Sequence, residues 1–351
     1  MRLASNSLYK KDLDIALEHI DLDFLDKKKV FITGGTGLIG SAIVDLLLRN
    51  NKTKRTRIQL YIASRNKEKV MERFGEDDCI SWVEYDALKS LQFNEPVDYI
   101  IHCAGNASPE LYVSQAVETM LTNILGLENL LKYALHQPNC KLIYLSSSEV
   151  YGQKDIEESF KEDSFGYIDI LSDRASYASS KRASETLCKA YSLEYGLNTC
   201  IVRPGHIFGP TASVSDGRVS SAFAYKAAQG MDLFLKSSGG QIRSYMYCLD
   251  CASAILLVLK KGSSGQAYNI CGEEITSIRQ LSEYFAKAGK VKLDYQQPTI
   301  DELHTFNPMN NSSLDCQKIY SLGFQSIFSV EEAVFHTVKI LKDTVENVEN
   351  I

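Results

Sequence analysis

The stretch Val30-Phe31-Ile32-Thr33-Gly34-Gly35-Thr36-Gly37-Leu38-Ile39-Gly40 decides the architecture. Its first four residues read as a short buried strand, and the run LIGSAIVDLLLRN that begins at Leu38 reads as an apolar helix. The glycines of the turn have separate tasks. Gly34 takes the positive φ of a tight turn, Gly37 lets the backbone approach a pyrophosphate, and Gly40 permits close contact between helix and sheet. Free N–H groups and the positive dipole end at the helix start complete a cradle for a dinucleotide.

Outward from this turn the same alternation repeats: QLYIAS then KEKVMERF, DYIIHCA then a helix around VETMLTNILGLENLLKYAL, KLIYLSS then a helix through RASYASSKRASETLCKAYSLEYG, and NTCIVRP. Strands alternating with helices at this spacing predict an α/β fold, a Rossmann-like doubly wound parallel sheet covered on both faces. After Pro204 the rhythm loosens, and a smaller, discontinuous α/β substrate domain is expected there. The expected division is a helical extension over 1–28, a dinucleotide-binding domain over 29–204 and 244–270, and a substrate domain over 205–243 and 271–345. CLDCASAILLVLKK reads as a helix returning to the main sheet, and the tail DTVENVENI is expected to fray.

Composition excludes several classes. A net charge of −6 over 351 residues offers no concentrated basic face for nucleic acid. No run approaches the roughly 18 apolar residues of a membrane span, and the charged first twenty residues do not resemble a signal peptide. Nine cysteines, scattered through apolar runs, read as buried free thiols of a cytoplasmic protein. Cys248 and Cys251 form a single C-x-x-C pair without a second pair or a nearby histidine, so no metal is expected.

Tyr177 and Lys181 stand four residues apart in a helical segment and share one face. An ammonium one turn from a phenol, with a nicotinamide cation nearby, favours the phenolate and makes tyrosine a usable base. Ser146, Ser147 and Ser148 follow another strand and face the same cleft at the carboxyl edge of the sheet. Serine, tyrosine and lysine together form a proton relay for oxidising an alcohol. At the end of the second strand, where NAD enzymes usually place an acid on the ribose, stand Ser64 and Arg65. Arg65 could face a 2′-phosphate, which leaves NADP open beside NAD.

With these motifs in order, the chain resembles the extended short-chain dehydrogenases acting on nucleotide sugars, and is most similar among them to UDP-glucuronate decarboxylases. The likeness runs from about Lys29 to Phe324. It is carried by the glycine loop, His102-Cys103-Ala104 with Ala107-Ser108-Pro109 and Tyr112, Ser147-Ser148-Glu149-Val150-Tyr151-Gly152, Arg174-Ala175-Ser176-Tyr177 to Lys181-Arg182 with Glu185, Asp216-Gly217-Arg218-Val219, and Gln241-Ile242-Arg243-Ser244-Tyr245.

The resemblance implies that Ser147 polarises the sugar 4-oxygen, Tyr177 is the base and Lys181 its partner on the nicotinamide ribose, with Ser148 and Glu149 the extra polar pair of decarboxylases and some 4,6-dehydratases. It places Thr36, Leu38, Ile39, Asp86, Ala87, Cys103, Ala104, Gly105 and Asn123 around the cofactor. Ser108, Tyr112, His206, Arg218 and Arg243 fall around the substrate. It also implies a homodimer. His206 stands where many relatives have asparagine, and Asn106 and Arg65 also depart from the decarboxylase pattern. Oxidation at C4 followed by decarboxylation or dehydration is the leading expectation. The alternatives are a 4-epimerase, an NADP-dependent keto-sugar reductase, or a non-catalytic dinucleotide-binding regulator, which would usually lack the tyrosine or the lysine.

Overall fold

The computed structural model describes residues 3–154, 158–299 and 309–349. Helix α1 (Ser7–Glu18), capped by Asn6, precedes an alternating series: β1 (Lys29–Thr33), α2 (Leu38–Lys54), β2 (Gln59–Ser64), α3 (Lys67–Phe74), β3 (Ile80–Glu84), β4 (Tyr99–His102), α4 (Pro109–Ser114), α5 (Ala116–Leu135), β5 (Lys141–Leu145), α6 (Ala175–Tyr195) and β6 (Asn198–Pro204). Beyond Pro204 come β7 (His206–Phe208), α7 (Val219–Ala228), β8 (Leu233–Leu235), β9 (Ile242–Tyr247), α8 (Cys248–Lys261), β10 (Gln266–Ile270), β11 (Ile275–Ser277), α9 (Ile278–Gly289), β12 (Leu293–Tyr295), β13 (Asn311–Ser312), α10 (Gln317–Tyr320) and α11 (Val330–Glu349).

Seven strands form one sheet in the order β10-β6-β5-β4-β1-β2-β3, and every pairing in it is parallel. The residue alternation of β1 sorts its two faces. Val30 and Ile32 join a core with Leu46 and Leu47 of α2 and Leu256 of α8, while Phe31 joins a second core with Leu127 and Leu131 of α5. All these side chains are fully buried, at about 1.5–3 kcal/mol each. The chain runs from β1 outward to β3, then returns to β4 on the other side of β1. That reversal opens a crevice at the carboxyl ends of β1 and β4, where this architecture binds ligands.

The second layer of structure is organised by β9, which pairs parallel with β7 and β13 and antiparallel with β11, while β8 pairs with β12. The expected boundary at 244 therefore falls inside a strand of the smaller sheet, whereas α8 and β10 lead back to the large one. Helix α1 is tied down by buried polar contacts: Tyr9 donates to Asp45 of α2 at 2.8 Å, and Asp12 accepts from Tyr247 at 3.0 Å and lies 3.1 Å from His336 Nδ1.

One expectation changes. The cysteines are not all free thiols: Cys271 and Cys316, 45 residues apart, are joined as a disulfide, and the other seven are free. Packing of the segment after β10 against the one before α10 creates that proximity, which spacing along the chain does not announce. Helix α11 runs to Glu349, and residues 350 and 351 of the tail lie outside the described residues. Among the described residues no helix is long and apolar enough to cross a membrane, and no group of three or more His, Cys, Asp or Glu side chains could hold a metal ion. Cys248 and Cys251 are packed in the core at the start of α8.

Candidate active site

The turn after β1 is shaped by contacts that leave no room for side chains. Gly34 has φ +66°, and a Cβ there would lie 2.7 Å from the backbone of Cys103 and Ala104 at the end of β4. A Cβ on Gly40 would meet the Gly34 carbonyl oxygen at 2.3 Å. Gly37 caps α2 with no side-chain hydrogen bond and is exposed, with Thr36 and Ile39 partly exposed and Leu38 buried. The first-turn N–H groups of a 17-residue helix thus face the crevice without a side-chain acceptor.

Across the crevice, Ala104 donates its N–H to Thr33 Oγ1 at 3.2 Å, and that hydroxyl also lies 2.6 Å from His102 Nδ1. Burial holds His102 down at about 3, so this imidazole is neutral. Gly105 is exposed above Asn123, whose Nδ2 donates to Ser180 at 3.0 Å and whose buried Oδ1 has no protein partner. A cradle without side chains at the helix start and an unpaired acceptor beside Gly105 fit a dinucleotide lying across β1 and β4. At the outer end, Ser64 donates to the Asn66 carbonyl and accepts from Trp82. Arg65 is mostly exposed, 3.8 Å from Glu118. Asp86 accepts from the Leu88 N–H, and Ala87 is buried beside Gly126.

Helix α6 presents Tyr177 and Lys181 to the same crevice, both buried. Tyr177 stacks flat on Tyr112 from α4, with centroids 4.2 Å apart and planes 10° from parallel, worth about 0.5–1.5 kcal/mol beyond burial. Burial pushes the Tyr177 phenol up to about 12; the Glu149 charge adds to this, and hydrogen bonding to Ser147 opposes it. Lys181 stands one turn on from Tyr177 on the same helix. Its ammonium donates to the Leu145 carbonyl at 2.7 Å and stands 4.8 Å over the Tyr144 ring, nearer than the 5.7 Å to the Tyr177 ring. Desolvation brings Lys181 itself down to about 8.

Ser147 caps a short 3₁₀ turn (Ser148–Tyr151), accepting from the Glu149 N–H at 3.2 Å, and Ser148 is buried in that turn. Burial raises the Glu149 carboxyl above its ordinary value, and Arg174 and then Arg243 pull it back. Arg174, which the motifs did not mark as functional, lies 3.5 Å from Glu149 and 5.8 Å over the Tyr112 ring. The signal available was its position, three residues before Tyr177.

Beside this group, Arg218 pairs with Asp216 and adds positive charge near Tyr112 and Tyr177. His206 lies edge-on to Tyr245 at 5.5 Å; its Nδ1 is buried without a protein partner, and burial beside Arg243 and Arg218 holds it at about 3. Arg243 is less available than expected, because it donates to the carbonyls of Ile242, Met309 and Asn310. Ser108 precedes α4 and makes no capping hydrogen bond.

A glycine cradle, a serine–tyrosine–lysine group and the switch point of a parallel sheet agree with the family profile that matches residues 30–271, that of the NAD dependent epimerase/dehydratase family. The chain belongs to this family. It is similar to UDP-glucuronic acid decarboxylase 6 of Arabidopsis thaliana, 31% identical over 69% of this chain and 69% of that protein. It is also similar to UDP-glucuronic acid decarboxylase 1 of Xenopus tropicalis, 27% identical over 93% of this chain and 75% of that protein. Among solved structures it resembles UDP-glucose 4-epimerase of Thermotoga maritima, with TM-score 0.77 and 22% identity over 90% of this chain and 99% of that one. It likewise resembles dTDP-glucose 4,6-dehydratase of Bacillus anthracis in complex with NAD, with TM-score 0.75 and 20% identity over 91% and 98%. Family membership makes the chain an NAD-dependent enzyme.

Proposed function

We propose that the chain decarboxylates UDP-glucuronate through a transient C4 ketone, and that Ser147, Ser148, Glu149, Tyr177 and Lys181 carry the chemistry. The observation that carries this reading is Glu149, a mostly buried carboxyl of raised pKa in the crevice with Tyr177, in a chain 31% identical to a UDP-glucuronic acid decarboxylase. The dinucleotide would be held by Gly34, Thr36, Gly37, Leu38, Ile39 and Gly40 at its pyrophosphate, with Ser64, Arg65, Asp86 and Ala87 at the adenosine end. Cys103, Ala104, Gly105, Asn123, Tyr177 and Lys181 would meet its nicotinamide end.

Bound NAD supplies the hydride acceptor at the sugar C4, returns that hydride at the end of the cycle, and adds a positive charge that favours the Tyr177 phenolate. Ser147 holds the 4-oxygen by hydrogen bond while Tyr177 removes its proton. With a ketone at C4, the C5 carboxylate leaves as carbon dioxide and its bonding electrons pass into the enolate. The Glu149 carboxyl, kept protonable by burial, gives C5 its proton, and Tyr177 returns a proton to the 4-oxygen. Ser108, Tyr112, His206, Arg218 and Arg243 would line the space for the sugar diphosphate. The same raised Glu149 favours one second reading, 4,6-dehydration of a neutral hexose, in which its ionised form removes the C5 proton.

Purified protein incubated with a panel of nucleotide sugars distinguishes the two by product mass. Loss of carbon dioxide from UDP-glucuronate is expected; loss of water from a neutral hexose with UDP-glucuronate untouched would sink the decarboxylase reading. A homodimer is supported by adjacent helices that leave Val117, Leu121 and Leu125 of α5 and Leu193 of α6 exposed.

A further inference from the structure

We propose that Arg174 is a positioning residue, tying the Glu149 carboxylate to the Tyr112–Tyr177 ring pair so that acid and base are held in one arrangement. The proposal deepens the reading of Glu149 given above and rests on it.

Arg174 is the N-cap of α6, with φ −95° and ψ −1° and no side-chain capping bond. That choice runs against the local rules for starting a helix. Caps are normally Ser, Thr, Asp or Asn, whose oxygen accepts a first-turn N–H, and a guanidinium adds positive charge at the positive end of the helix dipole. Helix α6 has 21 residues and carries Tyr177 in its first turn. A break with local preference at such a point is expected where a site demands the residue.

What Arg174 does instead is visible in its contacts. Its guanidinium lies 3.5 Å from Glu149 Oε1 and 5.8 Å over the Tyr112 ring, and Tyr112 lies flat on Tyr177 at 4.2 Å. One planar cation thus reaches the acid with one nitrogen and stands over Tyr112, the outer ring of the pair, which a lysine cannot do in the same way. The hydroxyl of Ser176 adds to the arrangement by donating to the Tyr112 carbonyl at 2.9 Å. The groups bearing on Glu149 are Arg174 and Arg243, which lower its pKa, and the phenols of Tyr112 and Tyr177. Of the two guanidinium groups, Arg174 is the stronger influence on the carboxyl.

The test uses the full chain with Arg174→Ser and Arg174→Lys. Arg174 sits in helical rather than extended geometry, so a serine there gains no capping bond; thermal melts of both variants are recorded and rates are compared at a temperature where both are folded, which separates positioning from folding. With UDP-glucuronate and NAD, kcat should fall by about 30-fold or more, while the affinity for UDP changes by less than about threefold. The limb of the kcat–pH profile that Glu149→Gln abolishes should move up by about one pH unit or more, and Arg174→Lys should recover part of that shift but not the full rate. Independently of any substrate, the Glu149 ionisation can be followed by NMR of protein labelled with 13C at the glutamate carboxyls, the signal being assigned by its loss in Glu149→Gln. Its pKa should rise by about one unit or more in Arg174→Ser. An unmoved Glu149 pKa in that measurement overturns the positioning role, whatever the substrate. Absence of decarboxylation by the parent chain, with the Glu149 shift present, overturns the decarboxylase reading alone.

Discussion

Tyr177 and Lys181 share a helix face because four residues make about one turn, and that much is legible from spacing. Their protonation is not. Burial holds the phenol at about 12 and the ammonium at about 8, since both charged forms lose solvation faster than their neighbours restore it. On the proposed mechanism Tyr177→Phe removes the base, and kcat should drop by at least about 10²-fold with an unchanged far-ultraviolet dichroism spectrum. His206 carries a second prediction. Its folded pKa, about 3, lies below the ordinary 6.5, so the unfolded chain binds the proton first and stability is lost as pH falls below 6.5. At pH 5 that loss is about 2 kcal/mol relative to pH 8, and His206→Asn should remove it. His102, equally low, keeps its own share. Calorimetric melts at the two pH values should show a smaller drop in the variant; an equal drop contradicts the assignment. Arg174 and the Cys271–Cys316 pair were hidden because only the folded chain brings their partners near.

At the scale of elements, the turn between β1 and α2 could be read from glycine spacing, while the severity of each contact needed coordinates. A methyl group on Gly40 would collide with a carbonyl at 2.3 Å, backbone against backbone, whereas one on Gly37 meets only the same carbonyl at 3.3 Å. Gly40→Ala should therefore cost about 1–3 kcal/mol of stability, and Gly37→Ala distinctly less. Both should weaken NAD binding by titration calorimetry, Gly37→Ala through the exposed face of the cap. Equal melting temperatures for the two variants would contradict the packing account. The strand–helix alternation was equally plain, because parallel strands covered on both faces must be apolar throughout. The smaller sheet was not: β9 is assembled from pairings with β7, β11 and β13, and nothing local in a three-residue strand such as His206–Phe208 announces its partner.

For the whole molecule, the large sheet brings the cradle after β1, the end of β4 and the Tyr177 and Lys181 side chains of α6 to one crevice, and the smaller sheet sets His206 and Arg243 beside it. Val117, Leu121 and Leu125, exposed on α5, lie four apart on one face, as a helix pairing with a second copy requires. Light scattering should report a dimer for the parent chain and a monomer for Val117→Glu with Leu121→Glu; a monomeric parent would contradict that surface. The central claim is that oxidation at C4, loss of carbon dioxide and reduction occur in succession on one bound sugar. UDP-glucuronate deuterated at C4, turned over with catalytic NAD, tests it most directly. A UDP-pentose that keeps the deuterium at C4 is the predicted product, whereas a pentose that has lost the label to the medium, or no decarboxylation at all, contradicts the account.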